Sequence, residues 1–271
     1  MRIRHQRGCS FKSISIFIII SHGWLLSCGC YLKDKSVSVP KVLEIRNCGG
    51  IPQTEIQTSS GIRIYIDIAD PESLSVKPSS GDYLLISRGH FDHWDGAFID
   101  NFPGKKIIVE EKTLQDNSIG LSIRSVIASR LDNNTDCPEK SPVYLFMIAV
   151  DGLKIAFFGD IGQKKLTLTQ ERIFSDTDIA IMPFSYPHGS TLTVDGQNAF
   201  NYQKILKAKI LIPTHCDEER VFNAIHASYE MAYVSSDMML IEKGSLPKET
   251  TFILMDYLSR TFCGRFVIRK I

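Results

Sequence analysis

Tyr83-Leu-Leu-Ile86-Ser-Arg88-Gly-His90-Phe-Asp92-His93-Trp-Asp-Gly96 begins as an uninterrupted apolar run and ends as a loop crowded with metal-binding side chains. Four consecutive apolar residues suit a strand buried on both faces, as in a parallel sheet covered by helices. The loop that follows packs two imidazoles and a carboxylate, His90, Asp92 and His93, into four residues. That spacing lets them reach one point, and it is a ligand set that a borderline-soft divalent cation accepts. The bland alternative is a polar surface loop with no ligand.

Outward from this segment the chain continues as strands. Val42-Leu-Glu-Ile-Arg46 alternates, and Gly61 to Ile68 alternates strongly, which places Ile62, Ile64, Ile66 and Ile68 on one face. Lys106–Glu110, Leu121–Ala128, Val143–Val150 and Leu153–Phe158 also read as strands. Asp151-Gly152 is a hairpin turn between the last two. A short helix is expected within 94–104. Asp178–Pro183 and Ile210–Pro213 are short buried strands, and Gln197–Lys207 and Glu218–Met231 have helical spacing. Residues 232–271 are least legible. Strands, then a helix, then strands and helices again fit two sheets packed together with helices outside, an α/β or α+β arrangement.

Three further positions place polar residues at the ends of apolar runs: Phe158-Gly-Asp160, Tyr186-Pro-His188-Gly and Pro213-Thr-His215-Cys216. Strand ends present ligands rigidly. Taken singly, each has an ordinary explanation. Gly-Asp favours turns, and an isolated histidine such as His188 or His215 is more often packed or surface-exposed.

Taken together and in this order, these motifs resemble the metallo-β-lactamase superfamily, and within it a branch similar to ascorbate-phosphate lactonases. The resemblance spans about residues 42–225. It includes Gly61-Ile-Arg-Ile-Tyr-Ile-Asp67, Val150 through Asp160, and Thr193 through His215. It implies an αββα sandwich of two mixed sheets with outer helices. Carried over by position, Asp92, His93 and His215 match ligands of one metal position, Asp160 matches a carboxylate bridging two, and His90 matches a ligand of the other. The usual loop is His-x-His-x-Asp-His, and Arg88 stands where its first His belongs. No His occurs between His93 and His188, so a further expected ligand near Ser129-Arg-Leu-Asp132 is also missing.

The resemblance therefore implies one divalent metal, zinc or manganese, held by Asp92, His93, Asp160 and His215. Arg88, with Arg130, is expected to fill the second position and to meet an anionic group of a substrate. The implied chemistry is hydrolysis of an ester, lactone or phosphoester by a metal-activated water, with Asp92 or Asp160 orienting the water and His188 as a proton donor or substrate contact. The rival expectation is a catalytically inactive binding protein of the same fold with an incomplete metal site. β-Lactam cleavage is not implied by this branch, and substrate cannot be read from fold alone.

Composition is that of a globular protein, with 44% hydrophobic and 23% charged residues. Residues 1–27 hold Arg2, Arg4, Arg7 and Lys12 and no acid. Subtracting those four from the formal +1 of the chain leaves −3 for the rest. No basic face suggests nucleic acid as a partner. Residues 1–27 read as a signal peptide, with Ile14–Leu26 too short an apolar core to span a bilayer. Leu25-Leu-Ser-Cys28 resembles the bacterial lipoprotein signal, with Cys28 as the lipidation site. A cleaved signal or an uncleaved anchor are the alternatives. Residues 28–40 would then be a tether, and 41–271 one domain exported to the cell envelope and held at a membrane by lipid. A small-molecule substrate is the expected partner. The odd number of remaining cysteines fits no disulfide framework or zinc ribbon.

Overall fold

The computed structural model of the chain describes residues 41–47, 52–130, 141–184, 197–215, 227–234 and 237–255. The expected signal peptide, the tether, Cys28 and His188 lie outside these residues. Among the described residues no helix is long and apolar enough to cross a membrane.

Two mixed sheets form the body. The first is built from β1 (Leu43–Asn47), β2 (Thr54–Gln57), β3 (Arg63–Ile66), β4 (Tyr83–Ile86) and β5 (Lys105–Ile108), with α1 (Gly96–Asn101) between the last two. The second takes β6 (Thr113–Asp116), β7 (Leu121–Ser129), β8 (Pro142–Val150), β9 (Leu153–Phe157), α2 (Leu168–Phe174), β10 (Ile179–Pro183), α3 (Gln197–Leu206), β11 (Ile210–Thr214) and β12 (Glu230–Val234). The chain returns to the first sheet as β13 (Met238–Ile241) and ends in the second as β14 (Thr251–Met255). Strand orders are β13-β1-β2-β3-β4-β5 and β12-β14-β11-β10-β9-β8-β7-β6. β3, β4 and β5 are parallel, as are β9, β10, β11, β14 and β12.

Period-two alternation explains the layers. Ile64, Ile66, Tyr83 and Leu85 of the first sheet and Phe146, Ile148, Ile155, Phe157, Ile181 and Ile212 of the second share the central core. The intervening residues face outward. Tyr65, Leu84 and Ile86 pack under Ile99 and Phe102 at α1. Ala156, Phe158, Ala180, Met182 and Leu211 pack under Phe174 of α2 and Tyr202 and Leu206 of α3. Because both faces are covered, these strands read as continuous apolar runs. Each Leu, Ile, Phe or Met side chain that is fully buried in this way contributes roughly 1.5–3 kcal/mol. The architecture is the expected αββα sandwich.

Two local expectations are corrected. Ile68 does not share the face of Ile64 and Ile66; it joins the outer cluster beneath α1. Asp67, at φ +51°, ends the strand and shifts the alternation. The helix expected over Glu218–Met231 runs too far. Glu230 and Met231 open β12, where they pair in parallel with Thr251 and Phe252 of β14; residues 218–226 lie outside the described residues.

At the end of the sheets away from the metal loop, the hairpin Asp151-Gly152 has the left-handed angles (φ +54° and +79°) that a two-residue turn demands. Asp151 also ties the sheets together. Its carboxylate accepts from Ser59 N at 2.7 Å and Ser59 Oγ at 2.6 Å in the turn between β2 and β3. Replacing it should remove two charge-assisted hydrogen bonds, so Asp151→Ala is expected to lower unfolding stability by about 2 kcal/mol in urea titrations. Metal binding at the opposite end should be unchanged. Equal stability of variant and parent would refute this account of the clasp.

Candidate metal centre

The parallel strands of both sheets end on one edge, and the chemistry-bearing residues follow those ends. Asp67 follows β3, Ser87 to His93 follow β4, Gly159-Asp160 follow β9 and His215 follows β11. Three non-glycine residues at this edge, Asp67, Val109 and His215, have φ of +51°, +43° and +46°. Such angles are uncommon for residues with a Cβ, and for Val109 a genuine outlier. Asp95 stops the metal loop by capping α1, its side chain accepting from Phe98 N at 2.7 Å.

His93 is fully buried and oriented by Asp67, which is buried as well. The Asp67 carboxylate accepts from Ser87 N at 2.7 Å, Ser87 Oγ at 2.6 Å and His93 Nδ1 at 2.7 Å. With Nδ1 committed to Asp67, Nε2 is the nitrogen that can meet a metal, as usual for carboxylate-supported histidine ligands. His93 Nε2 lies 3.1 Å from Asp160 Oδ1 and 3.7 Å from Asp92 Oδ1. His215 Nε2 lies 3.5 Å from Asp160 Oδ1 and 3.9 Å from Asp92 Oδ2. Ligand atoms of Asp92, His93 and His215 all fall within 4.8 Å of one another.

These separations fit a cation. Ligand distances of about 2.1 Å in a tetrahedron put neighbouring donors about 3.4 Å apart. Among the described residues, His93 Nε2 and Asp160 Oδ1 are moreover buried without a hydrogen-bond partner, an arrangement that native interiors rarely tolerate unless something else satisfies the atoms. Electrostatics point the same way. Burial opposes a charge on His93, but the carboxylates of Asp67 and Asp160 outweigh it and raise the imidazole to about 10. Burial likewise pushes Asp160 up, yet His93, His215 and Arg88 hold it well below the ordinary carboxylate range. Asp92 behaves similarly: burial raises it, and His215, His93 and His90 together hold it low. These carboxylates demand positive charge between them.

The other oxygen of Asp160 faces guanidinium groups. Arg88 Nη1 donates to Asp160 Oδ2, and Arg130 Nε stands 3.4 Å from the same oxygen. Arg88 and Arg130 therefore both face Asp160 Oδ2, the oxygen turned away from His93 and His215. His90 meets Asp92. Its Nδ1 hydrogen-bonds Asp92 Oδ1, and its ring is half exposed. Thus the structure brings together Asp92, His93, Asp160 and His215, sets Arg88 and Arg130 against them, and leaves His90 as a support for Asp92. In the sequence Asp67 stands only as a residue of the alternating stretch from Gly61 to Ile68, and that pattern assigns it no role. The available signal was a carboxylate closing an alternating strand that pairs in parallel with the strand feeding the metal loop.

The sequence matches the family described as Beta-lactamase superfamily domain over residues 54–215. The fold is shared with a protein from Thermotoga maritima described as a zinc-dependent hydrolase of the metallo-beta-lactamase superfamily (TM-score 0.56, 20% identity, covering 79% of this chain and 98% of that one). It is shared too with a protein from Parabacteroides distasonis described as a metal-dependent hydrolase (TM-score 0.54, 17% identity, 80% and 94% coverage). A third is the metallo-beta-lactamase fold protein YhfI from Bacillus subtilis (TM-score 0.53, 10% identity, 80% and 96% coverage). No match was found among curated proteins.

Two outcomes follow from the Asp67–His93 pair. Asp67→Asn keeps the shape but removes the charge, so divalent-metal affinity should fall about 10- to 100-fold, measured by competition with a chelating indicator. An unchanged affinity would rule out the orienting role. Because His93 is raised to about 10, a metal must displace its proton at neutral pH. Binding should then release about one proton per ion, and affinity should climb as pH rises toward 10. Calorimetry in buffers of different ionisation enthalpy reads this directly, and zero proton release would contradict it.

Proposed function

We propose, from the premise that this chain belongs to the beta-lactamase superfamily, that it is a metal-dependent hydrolase working with a single divalent ion, zinc or manganese. Four donors, Asp92, His93, Asp160 and His215, would hold that ion. Mixed imidazole and carboxylate ligation suits either metal. When bound, the ion supplies Lewis acidity, lowering the pKa of water and polarising a carbonyl or phosphoryl oxygen. The single observation that carries this reading is the pair His93 Nε2 and Asp160 Oδ1, buried, facing each other at 3.1 Å and, among the described residues, without a hydrogen-bond partner.

The protein's own groups have distinct tasks. Asp67 fixes the tautomer and orientation of His93. Asp92 is the more exposed carboxylate of the set, reachable from solvent, and its position is braced by His90. It is therefore the carboxylate placed to orient a water, while Asp160 is buried between His93 and Arg88 and positions both. The substrate is a small molecule carrying an ester, lactone or phosphoester.

Elemental mass spectrometry on the purified protein should find one zinc or manganese ion per chain, and His93→Ala should lose it. A panel of ester, lactone and phosphoester substrates should show turnover that stops with chelation and returns with added metal. Two ions per chain would overturn the single-ion assignment. No ion after loading with either metal would overturn the hydrolase reading.

A further inference from the structure

A cleft of about 330 Å³ opens beside the metal centre, lined by Arg88, Gly89, Val109, Ser141, Pro142 and Tyr144. That is the size of a small-ligand site. Arg88 forms one wall and lies between the cleft and Asp160. A guanidinium carries five N–H donors. Among the described residues Arg88 makes one hydrogen bond, to Asp160 Oδ2. Arg130, which does not itself line the cleft, adds a second guanidinium against the same oxygen, and among the described residues its buried Nε has no hydrogen-bond partner. The site thus has more guanidinium donors than Asp160 can use.

We propose that Arg88 and Arg130 form an anion-binding subsite for a phosphoryl group, one that persists when the metal is removed. The donors are protein groups that stay protonated at every accessible pH, so their positive charge does not depend on an ion. Shape favours phosphoryl over carboxylate. A tetrahedral phosphoryl group can meet two separate guanidiniums and still direct an oxygen toward the metal side, whereas two carboxylate oxygens would be used up by the guanidiniums. The organic remainder of the ligand would lie against Val109, Pro142 and Tyr144, opposite Gly89, which offers no side chain to obstruct it. That the bound anion belongs to a hydrolysable substrate rests on the hydrolase reading above; the binding itself does not.

The test is calorimetric titration of inorganic phosphate into the full chain after exhaustive chelation, at low ionic strength. Saturable binding is expected for the parent, with acetate at least tenfold weaker. Arg88→Met and Arg130→Met should each weaken phosphate binding about tenfold or more, and Arg88→Lys should fall between, since a lysine keeps the charge but loses the fork. Cooperative thermal melting identifies which variants are folded. If Arg88→Met fails to fold, Arg88→Lys and Arg130→Met carry the decision. No saturable phosphate binding in the chelated parent would overturn the proposal, as would equal affinity in the folded variants. Phosphate binding without turnover of any substrate would instead sink the hydrolase reading and leave this one standing.

Discussion

A buried carboxylate stays ionised only if opposite charge meets it, and Asp160 meets that condition on both oxygens. Oδ1 faces the imidazoles of His93 and His215, and Oδ2 faces Arg88 and Arg130. An isolated carboxylate at this depth would cost several kcal/mol or take up a proton. The whole edge of the molecule can be read as the means of surrounding this one group. Asp160 belongs to the second sheet, whereas Arg88 and His93 belong to the first, so the centre exists only while the sheets stay in register. Ser87 holds that register: its carbonyl accepts from Tyr144 N of β8 at 2.9 Å, and its N–H and hydroxyl bind Asp67.

Close approach at this junction explains Gly159. A Cβ there would come within 2.7 Å of Ser87 Oγ and 3.1 Å of Val143 Cγ2, and its φ of +47° is left-handed. A side chain would wedge the sheets apart at the point where Asp160 must reach His93. The strained angles of Asp67, Val109 and His215 lie on the same edge. Strained backbone of this kind survives only where its surroundings fix it, and it gathers at functional sites.

Much of the sandwich was legible in the sequence. Strands such as β4, β8, β9 and β10 declared themselves as apolar runs, and the loop after β4 declared itself as a candidate metal loop. Other elements were hidden for physical reasons. β2 carries Glu55 into the interior, where Ser75 N, Ser75 Oγ and Arg63 compensate it, so its pattern looks like loop. β6 is an exposed edge strand with no burial signal. The end of the helix expected over Glu218–Met231 is strand because β14, twenty residues later, offers a parallel partner, and a local pattern cannot show that. α2 did carry a signal, the Thr167-x-x-Gln170 capping box, but with few apolar residues behind it. At the site, His90 has ligand-type spacing, and its Nδ1 hydrogen-bonds Asp92 Oδ1. The value of Asp67 emerged only once β3 and β4 were seen side by side.

Arg88 in place of a histidine changes how the centre relates to its surroundings. A metal position is filled by competition, according to which ions are abundant and how tightly each binds, and it can be emptied or occupied by the wrong element. A guanidinium is subject to none of this. Under the single-ion proposal, the guanidinium share of the positive charge facing Asp160 Oδ2 is written into the gene and inherited, and only the ion's share must be gathered from the environment. On that reading the protein needs fewer ions per molecule. It also keeps part of its charge pattern through scarcity, and it cannot be mismetallated on that side.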